Sequence, residues 1–293
     1  MENTTLNIGG VPEHFNIPWH LAMENGSFAQ AGLHLNWIDY PGGTGAMAKD
    51  LRSGALDVAV LLTEGIVADI VKGNPSKIIQ EYVSSPLIWG IHVPAHSFFE
   101  TVTELEGKRY AISRLGSGSH LMAFVDATQR GWDPAALQLV LIGDLQGARE
   151  AFRKNEADVF MWEKFMTKPL VDNGEFRRVG ETPTPWPCFV IAARQEIIET
   201  KKAALQQLLN VINGATQQFM ADKEAAVQEI TQRFDLLPAD AATWFASTQW
   251  ATGGEVSDDL VALVLDTLFN LRIIDHKPSP ASIKAAIHSC GTI

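Results

Sequence analysis

The sequence has few cysteines and no run of basic residues. Only Cys188 and Cys290 occur among its 293 residues, and a lone pair so far apart in sequence is more often two reduced thiols than a disulfide. Lys and Arg total 23 against 34 Asp and Glu, for a formal net charge of -11. This balance argues against a nucleic-acid partner or an anionic membrane surface, because both require a basic patch.

A membrane-spanning segment and a secretory signal are also missing from the sequence. No stretch approaches the roughly 20 apolar residues that cross a bilayer, so we expect no membrane insertion. Residues 1–8 read as the start of a strand and contain neither the basic nor the apolar region of a signal peptide. We therefore expect a cytoplasmic location, with a periplasmic one as the alternative if the chain was trimmed.

Length and hydrophobic content predict two α/β lobes. Hydrophobic residues make up 46% of the chain and charged residues 19%, which is ordinary for a globular protein. A chain of 293 residues exceeds the length at which a single hydrophobic core usually keeps growing. Short β-rich runs, including 78–82 and 87–93, alternate with helical stretches, including 164–173, to about residue 190. A helical block follows, with an apolar stripe at helical spacing over residues 205–219. The predicted lobes comprise residues 1–93 with 188–293, and residues 94–187. Two crossings between them, one after residue 93 and one at the proline-rich stretch 182–187, predict a hinge that closes on a small molecule.

The loops after the predicted strands are the candidate binding sites, because ligands of open α/β sheets lie beyond the carboxyl ends of the strands. After the first strand, His14, Phe15 and Trp19 are candidate ligand contacts. The alternative is a helix cap at Asn16 with a hydrophobic staple. After the second strand, Gly43 and Thr44 lie in a glycine-rich run that enters a helix, where free N–H groups favour an anion or a carbonyl.

The predicted second lobe contains a matching loop, residues 113–119, which we call the serine loop. Its glycines and hydroxyls precede a helix and could contact the same ligand from the other side. The candidates there are Ser113, Gly116, Ser117, Gly118 and Ser119. Further candidates after other strands or at the second crossing are Thr63, Glu64, Trp162, Glu163 and Trp186. Thr63, Glu64, Trp162 and Glu163 could equally be ordinary capping residues.

Catalytic, nucleotide and metal motifs fit poorly. The glycine spacing around Gly43 matches neither a Walker loop nor a dinucleotide fingerprint, and Ser117 and Ser119 lack a G-x-S-x-G elbow. His92 and His96 have helical ligand spacing, but Pro94 lies between them in a strand-like run. We therefore expect no catalytic residue, no metal and no cofactor.

Three segments resemble the type II periplasmic solute-binding family, and most closely its aliphatic-sulfonate, nitrate and thiamine-pyrimidine binding proteins. The three segments are NIPWHLAMENGSFAQAGLHL from residue 16, LRSGALDVA from residue 51 and LEGKRYAIS from residue 105. The resemblance implies two lobes, each a mostly parallel sheet flanked by helices, with a helical C-terminal block. It also implies a ligand between the lobes, against residues 42–45 and the serine loop, and an ABC permease as partner.

The same group includes the fungal thiamine-pyrimidine synthase, an enzyme that uses pyridoxal phosphate and iron. Alignment with it places Leu61 where the synthase has its cofactor lysine and Gly65 where it has its sacrificed histidine. Of the synthase's cysteine cluster only Cys188 remains. We therefore predict a solute-binding protein for a sulfonate, carboxylate or pyrimidine. The alternatives are an enzyme of thiamine-precursor metabolism and a cytoplasmic ligand-sensing protein.

Overall fold

The computed structural model describes residues 4–254, 256–279 and 282, so the prediction for Cys290 lies outside the described residues. The chain folds into two compact units. Unit 1 comprises Met1–Ser85 and Trp186–Ile293, and unit 2 comprises Pro86–Pro185. The sequence placed these boundaries after residue 93 and before residue 188. Across the described ranges, no helix is both long enough and apolar enough to cross a membrane.

The eight strands form one sheet in the hydrogen-bonded order β2-β1-β3-β8-β4-β7-β5-β6, and β1, β2 and β3 belong to unit 1. Strand β1 pairs in parallel with β2 and β3, and β3 pairs antiparallel with β8. Because β1 and β3 are parallel neighbours, their carboxyl ends lie at the same edge of the sheet. The strands are β1 (Thr4–Gly10), β2 (Leu33–Asp39), β3 (Val58–Leu62), β4 (Ser76–Pro94) and β8 (Phe176–Arg194).

Helices surround this sheet and continue through the C-terminal block. Those between the strands are α1 (Ile17–Glu24), α2 (Ser27–Gln30), α3 (Thr44–Ser53) and α4 (Thr63–Val71). The block contains α8 (Gln195–Thr200), α9 (Lys202–Ala221), α10 (Lys223–Phe234), α11 (Pro238–Ser247) and α12 (Asp258–Asn270). Apolar residues at helical spacing form the buried stripe of α9, as its sequence predicts.

Unit 2 repeats the pattern with strands β7, β5 and β6, which follow β4 in the same sheet order. Strand β5 pairs in parallel with β6 and β7, and β7 pairs antiparallel with β4. Its core includes a cluster around Phe152, Phe160 and Phe176. The remaining elements are β5 (Arg109–Ile112), α5 (Gly118–Gln129), β6 (Gln138–Leu141), α6 (Leu145–Arg153), β7 (Val159–Glu163) and α7 (Lys168–Asp172).

Two sequence predictions about strands were wrong. Residues 78–82 and 87–93 are not separate strands, because the backbone remains extended through Ser84, Ser85 and Pro86 and forms the single strand β4. The proline-rich stretch at 182–187 contains the predicted second crossing, between Pro185 and Trp186, but it lies within β8 and does not precede the strand. Its prolines alternate with buried residues, and a proline φ near -65° suits an extended chain. Both long strands contain a boundary between the units.

The predicted helix at 164–173 is shorter than expected. One carboxylate oxygen of Glu163 accepts hydrogen bonds from the backbone N–H groups of Phe165 (2.8 Å) and Met166 (2.6 Å). These bonds close a tight turn directly after β7, so the helix α7 begins only at Lys168. Local side-chain bonds of this kind compete with helix formation.

Candidate functional site

The loop after β1 buries most of its predicted ligand contacts in the core of unit 1. The His14 ring lies 4.1 Å from the Trp244 ring and 5.2 Å from the Phe234 ring, centroid to centroid. Burial lowers the pKa of His14 to about 3, so this imidazole is neutral at physiological pH. The Phe15 ring packs 5.0 Å from the Phe189 ring. These two side chains therefore anchor the loop and do not line its surface.

Trp19 is also a core residue. Its side chain is fully buried, and its ring stacks on Phe28 at 5.8 Å and contacts the rings of Trp37 and Tyr82. Aromatic pairs at these separations stabilise a core beyond simple area burial. The expectation that Trp19 meets a ligand rested on its place near a strand end, but the first turn of α1 directs it inward.

Asn16 does not cap α1 with its side chain, contrary to the capping alternative. Its amide nitrogen instead donates to the carbonyl oxygen of Val11 at 2.8 Å, across the loop. Because a carbonyl only accepts, this bond fixes which end of the amide is the nitrogen. The carbonyl oxygen Oδ1 of Asn16 is buried and receives no hydrogen bond from the described residues.

The loops after β2 and β3 are joined by a hydrogen bond at the same edge of the sheet. Gly43 adopts φ +68°, which favours glycine, and α3 begins at the following residue, Thr44. The hydroxyl of Thr44 accepts from the backbone N–H of Leu62 at 3.1 Å, so it ties α3 to the end of β3. The hydroxyl of Thr63 donates to the carbonyl oxygen of Pro187 at 2.6 Å.

Glu64 follows Thr63 in the first turn of α4 and is 1% exposed. Its Oε2 accepts a hydrogen bond from the indole N–H of Trp186 at 2.8 Å. Burial raises the pKa of this carboxyl to about 7, against the opposing effects of its own backbone N–H and of Trp186. The structure therefore brings four predicted residues of unit 1 into one linked set: Thr44, Thr63, Glu64 and Trp186.

In unit 2 the serine loop is a connected hydroxyl cluster. The hydroxyl of Ser119 accepts from the backbone N–H of Ser113 at 3.0 Å and lies 3.1 Å from the hydroxyl of Ser117. Ser117 caps α5 by accepting from the N–H of His120. Gly116 adopts φ +76° and donates its N–H to Nδ1 of His120 at 3.0 Å.

The position of these groups suits an acceptor ligand. The N–H groups of Gly118 and Ser119 belong to the first turn of α5, where a helix offers no intrahelical acceptor. The hydroxyl of Ser113 is half-buried and contacts the hydroxyl of Ser119 at 3.3 Å. Hydroxyls and N–H groups at the start of a helix, where the helix dipole is positive, attract an anion or a polar acceptor.

The other candidates of unit 2 have structural roles. Glu163 caps the turn after β7, as the capping alternative anticipates. Trp162 is half-buried, stacks on Phe160 at 5.4 Å and meets Trp89 edge to face. His92 is buried and lies 2.9 Å from the hydroxyl of Thr167, so it belongs to a core hydrogen bond.

A groove of about 560 Å³ opens elsewhere on unit 1, between α1, α9 and α10. None of the predicted site residues lines it. Its lining includes the acidic residues Glu24, Asp222 and Glu229, and Arg233 bonds two of these carboxylates. Size alone does not make this groove the site, because the polar groups that could orient a ligand lie in the loops after the strands.

A family model described as Ca3427-like PBP matches residues 89–182, which lie within unit 2. The Candida albicans CA3427 gene product is 25% identical to this chain and superposes with a TM-score of 0.89, covering 98% of this chain and 96% of that one. That protein is described as defining a new family with the generic periplasmic binding protein fold. This chain has the periplasmic-binding-protein fold. No curated protein sequence matches it.

Two bacterial structures with this fold are also similar. The alkanesulfonate-binding protein SsuA from Xanthomonas axonopodis pv. citri, bound to MOPS, is 17% identical with a TM-score of 0.83, covering 99% of this chain and 100% of that one. The nitrate-binding protein NrtA from Synechocystis PCC 6803 is 15% identical with a TM-score of 0.76, covering 98% and 86%. At these identities the likeness shows the fold, and it confirms the fold class predicted from the sequence.

Two features of the site are not predicted by the sequence. The bond between Trp186 and Glu64 joins residues 122 positions apart, and no local pattern predicts such a contact. The sequence predicts only a helix cap at Asn16, since asparagine before a helix favours that role. The one available signal was that both Asn16 and Glu64 follow adjacent parallel strands, β1 and β3.

Proposed function

We propose that this chain is a solute-binding protein that takes up a small polar ligand and does not transform it. The observation that carries the proposal is the serine loop, where a cluster of hydroxyls lies beside the first N–H groups of α5. Structures with the same fold include proteins described as binding an alkanesulfonate and nitrate. We propose a sulfonate, carboxylate or pyrimidine ligand, and an ABC permease as the transport partner.

The absence of turnover is part of the proposal. Leu61 lies within β3 and is fully buried, and Gly65 lies so close to Thr44 that a Cβ there would come within 2.4 Å of its methyl carbon. These are the positions where the resemblance to the fungal synthase would require a lysine and a histidine. Purified protein mixed with pyridoxal phosphate and iron(II) should form no pyrimidine product, and product formation would favour the enzyme alternative.

A thermal-shift panel tests the binding proposal. The probes are ethanesulfonate, propionate, nitrate and 4-aminopyrimidine, each titrated against the full chain. A ligand at 100 times its dissociation constant adds about 2.7 kcal/mol to the free energy of unfolding, so at least one probe class should raise the melting temperature in a saturable manner. No saturable shift with any probe would contradict the proposal.

Ser113→Ala is the sharpest variant for this site. The substitution removes one hydroxyl but keeps the Ser113 backbone N–H that donates to Ser119, so the loop should remain folded. Loss of one hydrogen bond to a ligand corresponds to about 1.4 kcal/mol, and we expect a tenfold weaker affinity by isothermal titration calorimetry. Thr128→Ala is the control, because Thr128 is exposed at the far end of the same helix. Equal affinities in the two variants would remove Ser113 from the site.

A further inference from the structure

Glu64 has a buried oxygen that nothing in the described structure satisfies. Its Oε2 accepts from Trp186, but its Oε1 is buried and receives no hydrogen bond from the described residues. A buried acceptor without a donor costs about 1–3 kcal/mol. Such groups in native proteins call for an explanation, and a missing ligand is one of them.

The surroundings of Glu64 supply donors, as an ionised carboxylate requires. The indole N–H of Trp186 points at Oε2, and the carboxyl's own backbone N–H favours the charged form. Glu64 also lies in the first turn of the nine-residue helix α4, where the dipole stabilises negative charge. Burial acts in the opposite direction and raises the pKa to about 7. A donor placed at Oε1 would complete the carboxylate and lower that pKa.

Asn16 provides a second unsatisfied acceptor at the same sheet edge. Its Oδ1 is buried and lacks a described donor, and its orientation is fixed by the bond from its amide nitrogen to Val11. Strands β1 and β3 are parallel neighbours, so the loops that hold Asn16 and Glu64 lie side by side. Phe15, next to Asn16, packs on Phe189, which pairs with Leu62 at the end of β3.

These loops contain no cation that could satisfy the two acceptors. Residues 11–16, 40–44 and 63–65 include neither Lys nor Arg. His14 is held neutral by burial and packs toward Trp244. Glu13, which is 9% exposed, adds a further carboxyl to the loop after β1. The sheet edge of unit 1 therefore presents acceptors and partial negative charge.

We infer that the loops after β1 and β3 select a ligand that carries an amino or amidinium group, with Glu64 as the acceptor of its N–H and Asn16 as a second acceptor. The inference rests on the proposed binding function and specifies its ligand class. A simple inorganic anion lacks any group for these acceptors. An amino or amidinium group has at least two N–H donors, one for each of the two oxygens that no described residue pairs.

Matched probe pairs test this inference by titration calorimetry on the full chain. Taurine and ethanesulfonate share a sulfonate and differ in the amino group. 4-Aminopyrimidine and pyrimidine differ in the same way on a ring. We expect the amino member of at least one pair to bind tenfold or more tightly than its partner, because a charge-assisted hydrogen bond corresponds to about 1.5–3 kcal/mol.

Variants of Glu64 test whether this side chain causes the preference for the amino member of each pair. In Glu64→Gln the preference for the amino member should fall to threefold or less, while the partner without the amino group should keep its affinity. Glu64→Asp retains the charge and should keep part of the preference. Glu106→Gln is the matched control, because Glu106 is exposed and lies in unit 2; its preference should equal that of the unchanged chain.

The outcomes separate the inference from the proposed function. Equal binding within both pairs would overturn the inference and leave the binding function in place. A full preference retained in Glu64→Gln would also overturn it, since another group would then hold the amine. No measurable binding of any of the four probes would overturn the inference together with the proposed function for these ligand classes.

Discussion

Replacing Trp19 by alanine is expected to lower the free energy of unfolding by about 3–5 kcal/mol, the usual loss for a large aromatic removed from a core. The side chain is fully buried and contacts the rings of Phe28, Trp37 and Tyr82. Its loss leaves a cavity between α1, α2 and the sheet of unit 1, which the neighbouring rings fill only in part. Urea denaturation followed by circular dichroism measures the change.

The controls for Trp19 separate a core role from a ligand role. Phe98→Ala changes a side chain that is 96% exposed and should alter the free energy of unfolding by no more than about 0.5 kcal/mol. Trp19→Phe serves if the alanine variant fails to fold, and it should bind ligand within twofold of the unchanged chain. A large loss of affinity with little loss of stability would restore Trp19 as a ligand contact.

Replacing Glu64 by glutamine is expected to stabilise the ligand-free protein at pH 8 by up to roughly 3 kcal/mol, because each unit of pKa shift corresponds to about 1.4 kcal/mol. Burial raises the pKa of Glu64 from 4.5 to about 7. A carboxyl with a raised pKa in the folded state binds its proton more tightly there than in the unfolded chain. Stability from this group is therefore complete below pH 4.5, is lost between pH 4.5 and 7, and stays lost above pH 7.

Denaturation curves at pH 4.5 and pH 8 test whether the contribution of Glu64 to the free energy of unfolding falls as the pH rises. The Glu64→Gln variant should match the unchanged chain at pH 4.5 and exceed it at pH 8. Glu106→Gln should match it at both pH values, since that side chain is exposed. A variant less stable than the unchanged chain at pH 8 would contradict the account. The expected gain means that Glu64 is retained at the expense of stability, which is common for binding residues.

The order and type of most elements could be predicted from the sequence, because hydrophobic periodicity reports burial directly. The buried stripe of α9 is the clearest example. The two long strands could not be predicted, because proline and serine usually mark turns. In β8 the prolines instead alternate with Thr182, Thr184 and Trp186, which are all buried. The sequence therefore contains the period-two pattern of a strand, although its prolines indicate a turn.

The site was predictable at the level of loops but not of side chains. The rule that ligands lie at the carboxyl ends of strands selected the loops that contain Thr44, Glu64 and Ser119. It could not decide the direction of each side chain, which depends on distant partners: His14 and Phe15 turn toward Trp244, a contact with the C-terminal block. The closure of two lobes on a ligand stays a prediction of the sequence.

The most direct test of the central claim is an NMR titration of the isotope-labelled chain with taurine, ethanesulfonate and 4-aminopyrimidine. If the chain is a solute-binding protein that uses the serine loop, the backbone amide signals of Gly116, Ser117 and Ser119 should shift and saturate with at least one probe. The amide of Thr128, at the other end of α5, should stay in place. No saturable shift in the serine loop, or an equal shift at Thr128, would contradict the account.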